Sequence, residues 1–216
     1  MKAKTLLVAA AALAAATISS QAQVYSQNVV GYVNVPLVNG YNLIANPLDD
    51  GNGNQLTNIL SGANLANKSS VTTWNGTSYN TGIGKITGGW GGNVSLPPGT
   101  GFFLKNSGAA TTNTFVGSVV VPSGSSYTNI LVSGYSLVGS VIPFAGDATT
   151  DTNINLGSAA LANKSSLISW NSGTQTFDTG VGKITGGWGA TFPIAVGQGF
   201  FIKNSSTDAN WVETAP

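Results

Sequence analysis

The chain has 216 residues with no cysteine, no histidine, 7% charged residues and a formal net charge of +1. The missing histidine removes the commonest general base and metal ligand together, and the missing cysteine rules out disulfides. Near-neutral charge argues against nucleic acid or an anionic membrane as partner, since both need a basic face.

Lys2 and Lys4 precede an apolar, alanine-rich run from Thr5 to Thr17, and Ser20-Gln21-Ala22 has the small-x-small pattern of a signal-peptidase site. Residues 1–22 are therefore expected to be a cleaved signal peptide, with the mature protein secreted or held at the cell surface. That mature chain keeps six lysines, no arginine, six aspartates and Glu213, for a formal charge of −1. No later stretch approaches the roughly 20 apolar residues of a membrane helix, so no membrane insertion is expected. Glycine, asparagine, serine and threonine dominate, with β-branched and aromatic residues between them, which predicts a turn-rich all-β protein.

In chain order, Val29 to Pro36 alternates in its second half as a half-buried strand does. Leu56, Ile59, Leu60 and Ala63 fall on one helical face, and the second half of the chain keeps that pattern poorly around Ile154 and Leu156. Val71 to Trp74, Ser78 to Thr81, Lys85 to Trp90, Gly101 to Lys105 and Thr112 to Val121 read as strands bounded by Asn-Gly, Gly-Gly or Pro-Pro-Gly. Trp74-Asn75-Gly76-Thr77 predicts a tight hairpin with a primed turn.

The chain then repeats itself. Gly84 to Gly91, GKITGGWG, recurs unchanged as Gly182 to Gly189, and Leu65 to Ser70 recurs as Leu161 to Ser166. Gly40-Tyr41-Asn42-Leu43-Ile44 is matched by Gly134 to Val138, Trp74 by Trp170, Tyr79 by Phe177, and Gly101 to Asn106 by Gly199 to Asn204. Val116 to Pro122 also repeats the V-G-x-V-x-V-P of Val30 to Pro36. These matches predict two tandem, homologous β-sandwich or barrel-like repeats of six to seven short strands, residues 23–112 and 113–216. No linker separates them, and Thr114 to Val121 is placed to close the first sheet while opening the second as a shared edge strand.

The order GYNLIANPL, TWNGTSY, PPGTGFFLKN, at Gly40 to Leu48, Thr73 to Tyr79 and Pro97 to Asn106, resembles a repeat of secreted and surface proteins of bacteria. The second copy departs from it, with Ser140-Val141 where Asn46-Pro47 stand. The resemblance implies extracellular β-sandwich modules, found beside adhesive or enzymatic domains; it carries over no catalytic residue and no agreed activity.

Alternation puts Phe102 in the core and leaves Phe103 and Phe201 half-exposed or under a loop. It also places Ile86 and Trp90 together inside, unless Gly88-Gly89 bulges. Two ligand readings compete with these structural ones. If the module binds polysaccharide, Trp90, Trp188, Lys85, Lys183, Phe103 and Phe201 are its aromatic platforms and neighbours. If it binds calcium, the oxygen-rich turns at Asp49, Asp50, Asn52, Asn54, Asp147 and Asp151 hold the ion. Those turns lack the sixth-position glycine and closing glutamate of an EF-hand, and the same residues cap turns and helices. No catalytic residue is identified, since nothing offers a base to the many serines and threonines. The expectation is a non-catalytic structural or adhesive protein facing surface proteins or polysaccharide, with a carbohydrate-binding module as the alternative.

Overall fold

The computed structural model describes residues 30–216, so the expected signal peptide lies outside the described residues. The first half comprises β1 (Val30–Leu37), β2 (Gly40–Ala45), the one-turn helix α1 (Leu56–Ile59), β3 (Ser70–Thr73), β4 (Ile83–Ile86), β5 (Gly89–Trp90), β6 (Gly101–Asn106) and β7 (Thr111–Ser118). The second comprises β8 (Ser126–Leu131), β9 (Gly134–Val138), β10 (Gly146–Asp147), a 3-10 turn (Leu156–Ala159), β11 (Ser166–Ile168), β12 (Trp170–Asn171), β13 (Thr176–Phe177), β14 (Val181–Ile184), β15 (Gly187–Trp188), β16 (Pro193–Ile194), β17 (Phe200–Asn204) and β18 (Ala209–Thr214). The protein is all-β and sandwich-like, and its named strand pairings are antiparallel.

Two five-stranded sheets share one strand order, β2-β6-β3-β4-β5 and β9-β17-β11-β14-β15. Each is backed by a two-stranded ribbon, β1-β7 for the first and β8-β18 for the second. Between each sheet and its ribbon lies a core. In the first, Ile44, Val71, Phe102 and Leu104 meet Leu37, Phe115 and the α1 face formed by Leu56, Ile59, Leu60 and Ala63, the four residues its periodicity singled out. In the second, Leu167, Phe200 and Ile202 meet Leu131, Leu156 and Trp211.

The strands β6 and β17 carry apolar side chains on their other face as well. Leu43, Phe103, Leu137 and Phe201 form a third buried cluster where the two sheets face each other. This is why the Phe-Phe pairs break the alternation of a half-solvated strand: both faces are covered. Phe103 and Phe201 are 6% and 5% exposed, not half-exposed, because the other half of the molecule covers them.

Backbones touch across this joint. Ala45 N–H donates to Gly197 O at 2.8 Å, Gly139 N–H to Gly99 O at 2.9 Å, and Gly199 N–H to Leu43 O at 3.1 Å. A Cβ on Gly199 would lie 2.7 Å from the Ile44 carbonyl oxygen, and one on Gly101 2.9 Å from the Val138 nitrogen. The glycines before each Phe-Phe pair thus lie where the backbones of the two halves nearly touch, which only a missing side chain permits.

Three sequence expectations are corrected. Thr114–Val121 is not a shared edge: β7 pairs with β1, with one further bridge from Ser118 to Asp49, and the second ribbon opens at β8, paired with β18. The likeness of Val30–Pro36 to Val116–Pro122 is therefore one of composition, since β8 holds the place that β1 holds. Ser78–Thr81 forms no strand either; Tyr79 makes a single bridge to Trp74. The loop between them is built by Asn75 Oδ1, which accepts from the N–H groups of Thr77 and Ser78 at 3.0 and 2.9 Å. Gly76 alone there takes a positive φ, +103°, so the turn is an Asx loop instead of a primed two-residue turn.

Candidate functional site

GKITGGWG is a hairpin, not a single strand. Lys85 pairs with Trp90 and Ile86 with Gly89, and the chain reverses through Thr87-Gly88, where Gly88 and Gly89 take φ of +94° and +146°. The second copy does the same, pairing Lys183 with Trp188 and Ile184 with Gly187. Reversal puts Ile86 and Trp90 on opposite strands, so the expected common inward face does not exist. Ile86 points out, 57% exposed, and Trp90 packs half-buried against the first core. Lys85 Nζ lies 5.7 Å from the Trp90 ring centroid and Lys183 Nζ 5.3 Å from that of Trp188. One side of each indole meets the core and a lysine sits over the ring, so neither is an open platform. Phe103 and Phe201 lie apart from these tryptophans, in the joint between the sheets.

The acidic turns consume their own oxygens. Asp49 Oδ1 accepts from Gly51 N–H and Asn54 Nδ2, at 3.0 and 2.9 Å. Asp50 Oδ1 accepts from the N–H groups of Asn52 and Asn54 at 2.7 and 2.8 Å, and Asn54 Oδ1 accepts from Asp50 N–H and Asn46 Nδ2. Burial alone would raise the Asp50 pKa, but the Asn52, Asn54 and Asn58 donors outweigh it and hold the carboxyl below its ordinary value. Asp147 accepts from the Thr149 N–H and hydroxyl and from Phe192 N–H, with the same net lowering against burial. Asp151 Oδ1 accepts from Asn153 N–H at 2.8 Å. Among the described residues no three or more acidic side chains converge as a metal-binding group. We expect millimolar calcium to leave the melting temperature unchanged beyond an ionic-strength effect. A rise reversed by EDTA and abolished in Asp50→Ala would instead establish a metal site.

The largest aromatic assembly lies at the joint. Trp74 Nε1 donates to the Tyr135 carbonyl and Trp170 Nε1 to the Tyr41 carbonyl, both at 2.9 Å, so each half's indole is tied to the other half's edge strand. Gln175 adds a clamp: Tyr41 N–H donates to its Oε1 at 2.6 Å and its Nε2 donates to Tyr41 O at 3.0 Å. Trp74 and Trp170 therefore pack across the joint and not within their own repeat's core. Around them the rings meet edge to face, Trp74 on Tyr79 at 5.0 Å, Trp74 on Phe201 at 5.4 Å and Trp170 on Phe177 at 4.9 Å.

These rings line a two-lobed cleft. One lobe, about 440 Å³, is walled by Trp74, Tyr79, Tyr135, Ile168, Phe177 and Phe201, with Asp178 also lining it. The other, about 300 Å³, is walled by Tyr41, Thr72, Phe103 and Trp170 and shares Tyr79 and Phe177. Tyr79 and Phe177 are each 45% exposed at this opening, and desolvation raises the Tyr79 pKa. Sequence reasoning singled out Phe103 and Phe201 here for a different reason and missed the cleft itself. The repeated order of Tyr41/Tyr135, Trp74/Trp170 and Tyr79/Phe177 was its available signal.

The other unanticipated group is Glu213, a fully buried carboxyl facing Ser140 and the backbone N–H of Val141, which donates to Oε1 at 3.3 Å. Ser140 Oγ donates to Ile142 O at 2.8 Å and accepts from Ile142 N–H at 3.1 Å. The same hydroxyl also donates to Glu213 Oε2. Burial pushes the Glu213 pKa up to about 7, against the lowering effect of the Ser140 and Val141 bonds. Neither a protein-family model, nor a curated protein, nor a solved structure matches this chain.

Proposed function

We propose that the protein is a non-catalytic structural or adhesive component outside the cell, exported by its leader, working as one block built from two joined halves. The observation that carries this reading is the fate of the tryptophans. Trp211 is fully buried, Trp90 and Trp188 pack on cores under lysines, and Trp74 and Trp170 bond across the joint. A polysaccharide module of the flat-platform kind needs a flat row of open indoles, whereas here only Trp74 and Trp170 border an opening, and they meet its other rings edge to face. The export motif supports the location, and the hydrogen-bonded acidic turns support a structural use of the charged residues. Ile86 and Ile184, at the tips of the repeated hairpins, offer exposed apolar contacts for a surface partner.

The test uses protein recovered from the producing cells. An intact mass for residues 23–216, obtained from the medium or cell surface, is expected, together with no retention on polysaccharide gels by affinity electrophoresis. An uncleaved cytoplasmic chain would defeat the export reading. Retention on a glycan by wild type, lost in a stably folded Trp90→Ala/Trp188→Ala double variant, would replace the structural role with a sugar-binding one.

A further inference from the structure

We propose that the larger lobe of the joint cleft binds a weakly hydrated organic cation of the quaternary-ammonium class. Three observations converge on it, independent of the structural role above.

The first is ring geometry. Phe201 meets Trp74 at 90°, Tyr135 at 83° and Phe177 at 64°, with centroids 5.4, 6.3 and 5.9 Å apart. Rings set at steep angles around one hollow turn edges and faces to it from several directions, and the faces carry the negative end of the aromatic quadrupole. A volume of about 440 Å³ accommodates a trimethylammonium group with a short tail.

The second is the chain's own habit. Four rings already carry an ammonium group, Lys85 on Trp90, Lys183 on Trp188, Lys105 on Tyr41 and Lys203 on Tyr135, at 5.3 to 6.0 Å, and the last two rings are walls of the smaller and the larger lobe. Among the described residues no lysine lies over Trp74, Tyr79 or Phe177, which also wall the larger lobe.

The third is charge. The two lobes are built from corresponding residues, but Asp178 stands where Asn80 stands in the first copy. Asn80 Nδ2 donates to Thr73 Oγ1 at 2.8 Å, and Asp178 Oδ2 accepts from Ser169 Oγ at 2.8 Å. Asp178 has no ion-pair partner among the described residues, so an acidic residue borders the larger lobe where the first copy has a neutral asparagine. A sugar fits less well. Its hydroxyls would lose water against walls that are almost wholly apolar, with little to receive them beyond one carboxylate and the tyrosyl hydroxyls. A small inorganic cation would lose too much hydration for rings to replace, whereas a methylated ammonium sheds little.

The probes are choline chloride, its neutral carbon isostere 3,3-dimethylbutan-1-ol, and methyl glucoside, titrated into the mature chain by tryptophan fluorescence and calorimetry. Saturable choline binding at one site per chain is expected, with the neutral isostere at least about tenfold weaker, the equivalent of ~1.4 kcal/mol. Asp178→Asn, at an exposed position where the fold is not at stake, should weaken choline without altering the melting temperature, and Tyr79→Leu should weaken it too. Equal affinity for the isostere would make the lobe a plain apolar pocket and overturn the proposal. Binding of methyl glucoside in place of choline, or no saturable choline signal at millimolar concentration, would overturn it as well.

Discussion

Phe201→Ala is expected to destabilise the protein by about 3–5 kcal/mol, the range for removing a buried aromatic ring. The ring is 5% exposed and lies against Trp74, Tyr79, Tyr135 and Phe177. Its own half's core is on the other face of β17, where Phe200 and Ile202 point. The cavity would therefore open at the joint, and the coupling between halves should weaken along with global stability. Urea unfolding followed by tryptophan fluorescence reads both: a lowered midpoint, and separation of one transition into two. Phe103→Ala, its counterpart in the first half, should behave alike. A loss below about 1 kcal/mol, the scale of an ordinary surface substitution, would mean that the sheets do not pack through these rings.

Stability should also fall as pH rises from about 4.5 to about 7, because of Glu213. Its folded pKa is raised from 4.5 to about 7 by burial. Below the lower value both states hold the proton and nothing is lost. Between the two values the unfolded chain releases its proton while the folded chain retains it, so the unfolded state gains on the folded one. Above about 7 the loss levels off, near 3 kcal/mol at about 1.36 kcal/mol per pH unit. Glu213→Gln mimics the uncharged acid and keeps an oxygen for Val141 N–H. The variant should abolish this slope and gain up to about 3 kcal/mol at pH 8, with little change at pH 4. Unfolding free energies across that range check it; an unchanged slope in the variant would remove Glu213 as the source.

Local pattern alone established a good deal. The all-β class followed from composition and turn residues, and the inward faces of Leu56, Ile59, Leu60, Ala63 and Phe102 followed from periodicity, because each depends on neighbours within a few positions. What periodicity cannot convey is a second surface arriving from elsewhere in the chain. Phe103 and Phe201 read as half-exposed because alternation assumes that one face of a strand meets water, and the opposing sheet covers that face. Trp74 and Trp170 read only as matched strand residues, and nothing near them in sequence shows that their N–H groups find acceptors on the edge strand of the other half. Ile86 and Trp90 read as one face on an extended Thr87-Gly88; positive φ at Gly88 and Gly89 folds the chain back and sends the two side chains apart. Glu213 gave no sign of burial near the end of the chain, since its partner Ser140 is 73 residues away. The cleft and the Asp178 charge beside it exist only once both halves meet. The sequence by itself determined the all-β class and the inward side of Leu56, Ile59, Leu60, Ala63 and Phe102; which aromatics join the halves, and which carboxyls lie in apolar surroundings, was decided by long-range packing, because both depend on residues far apart in the chain.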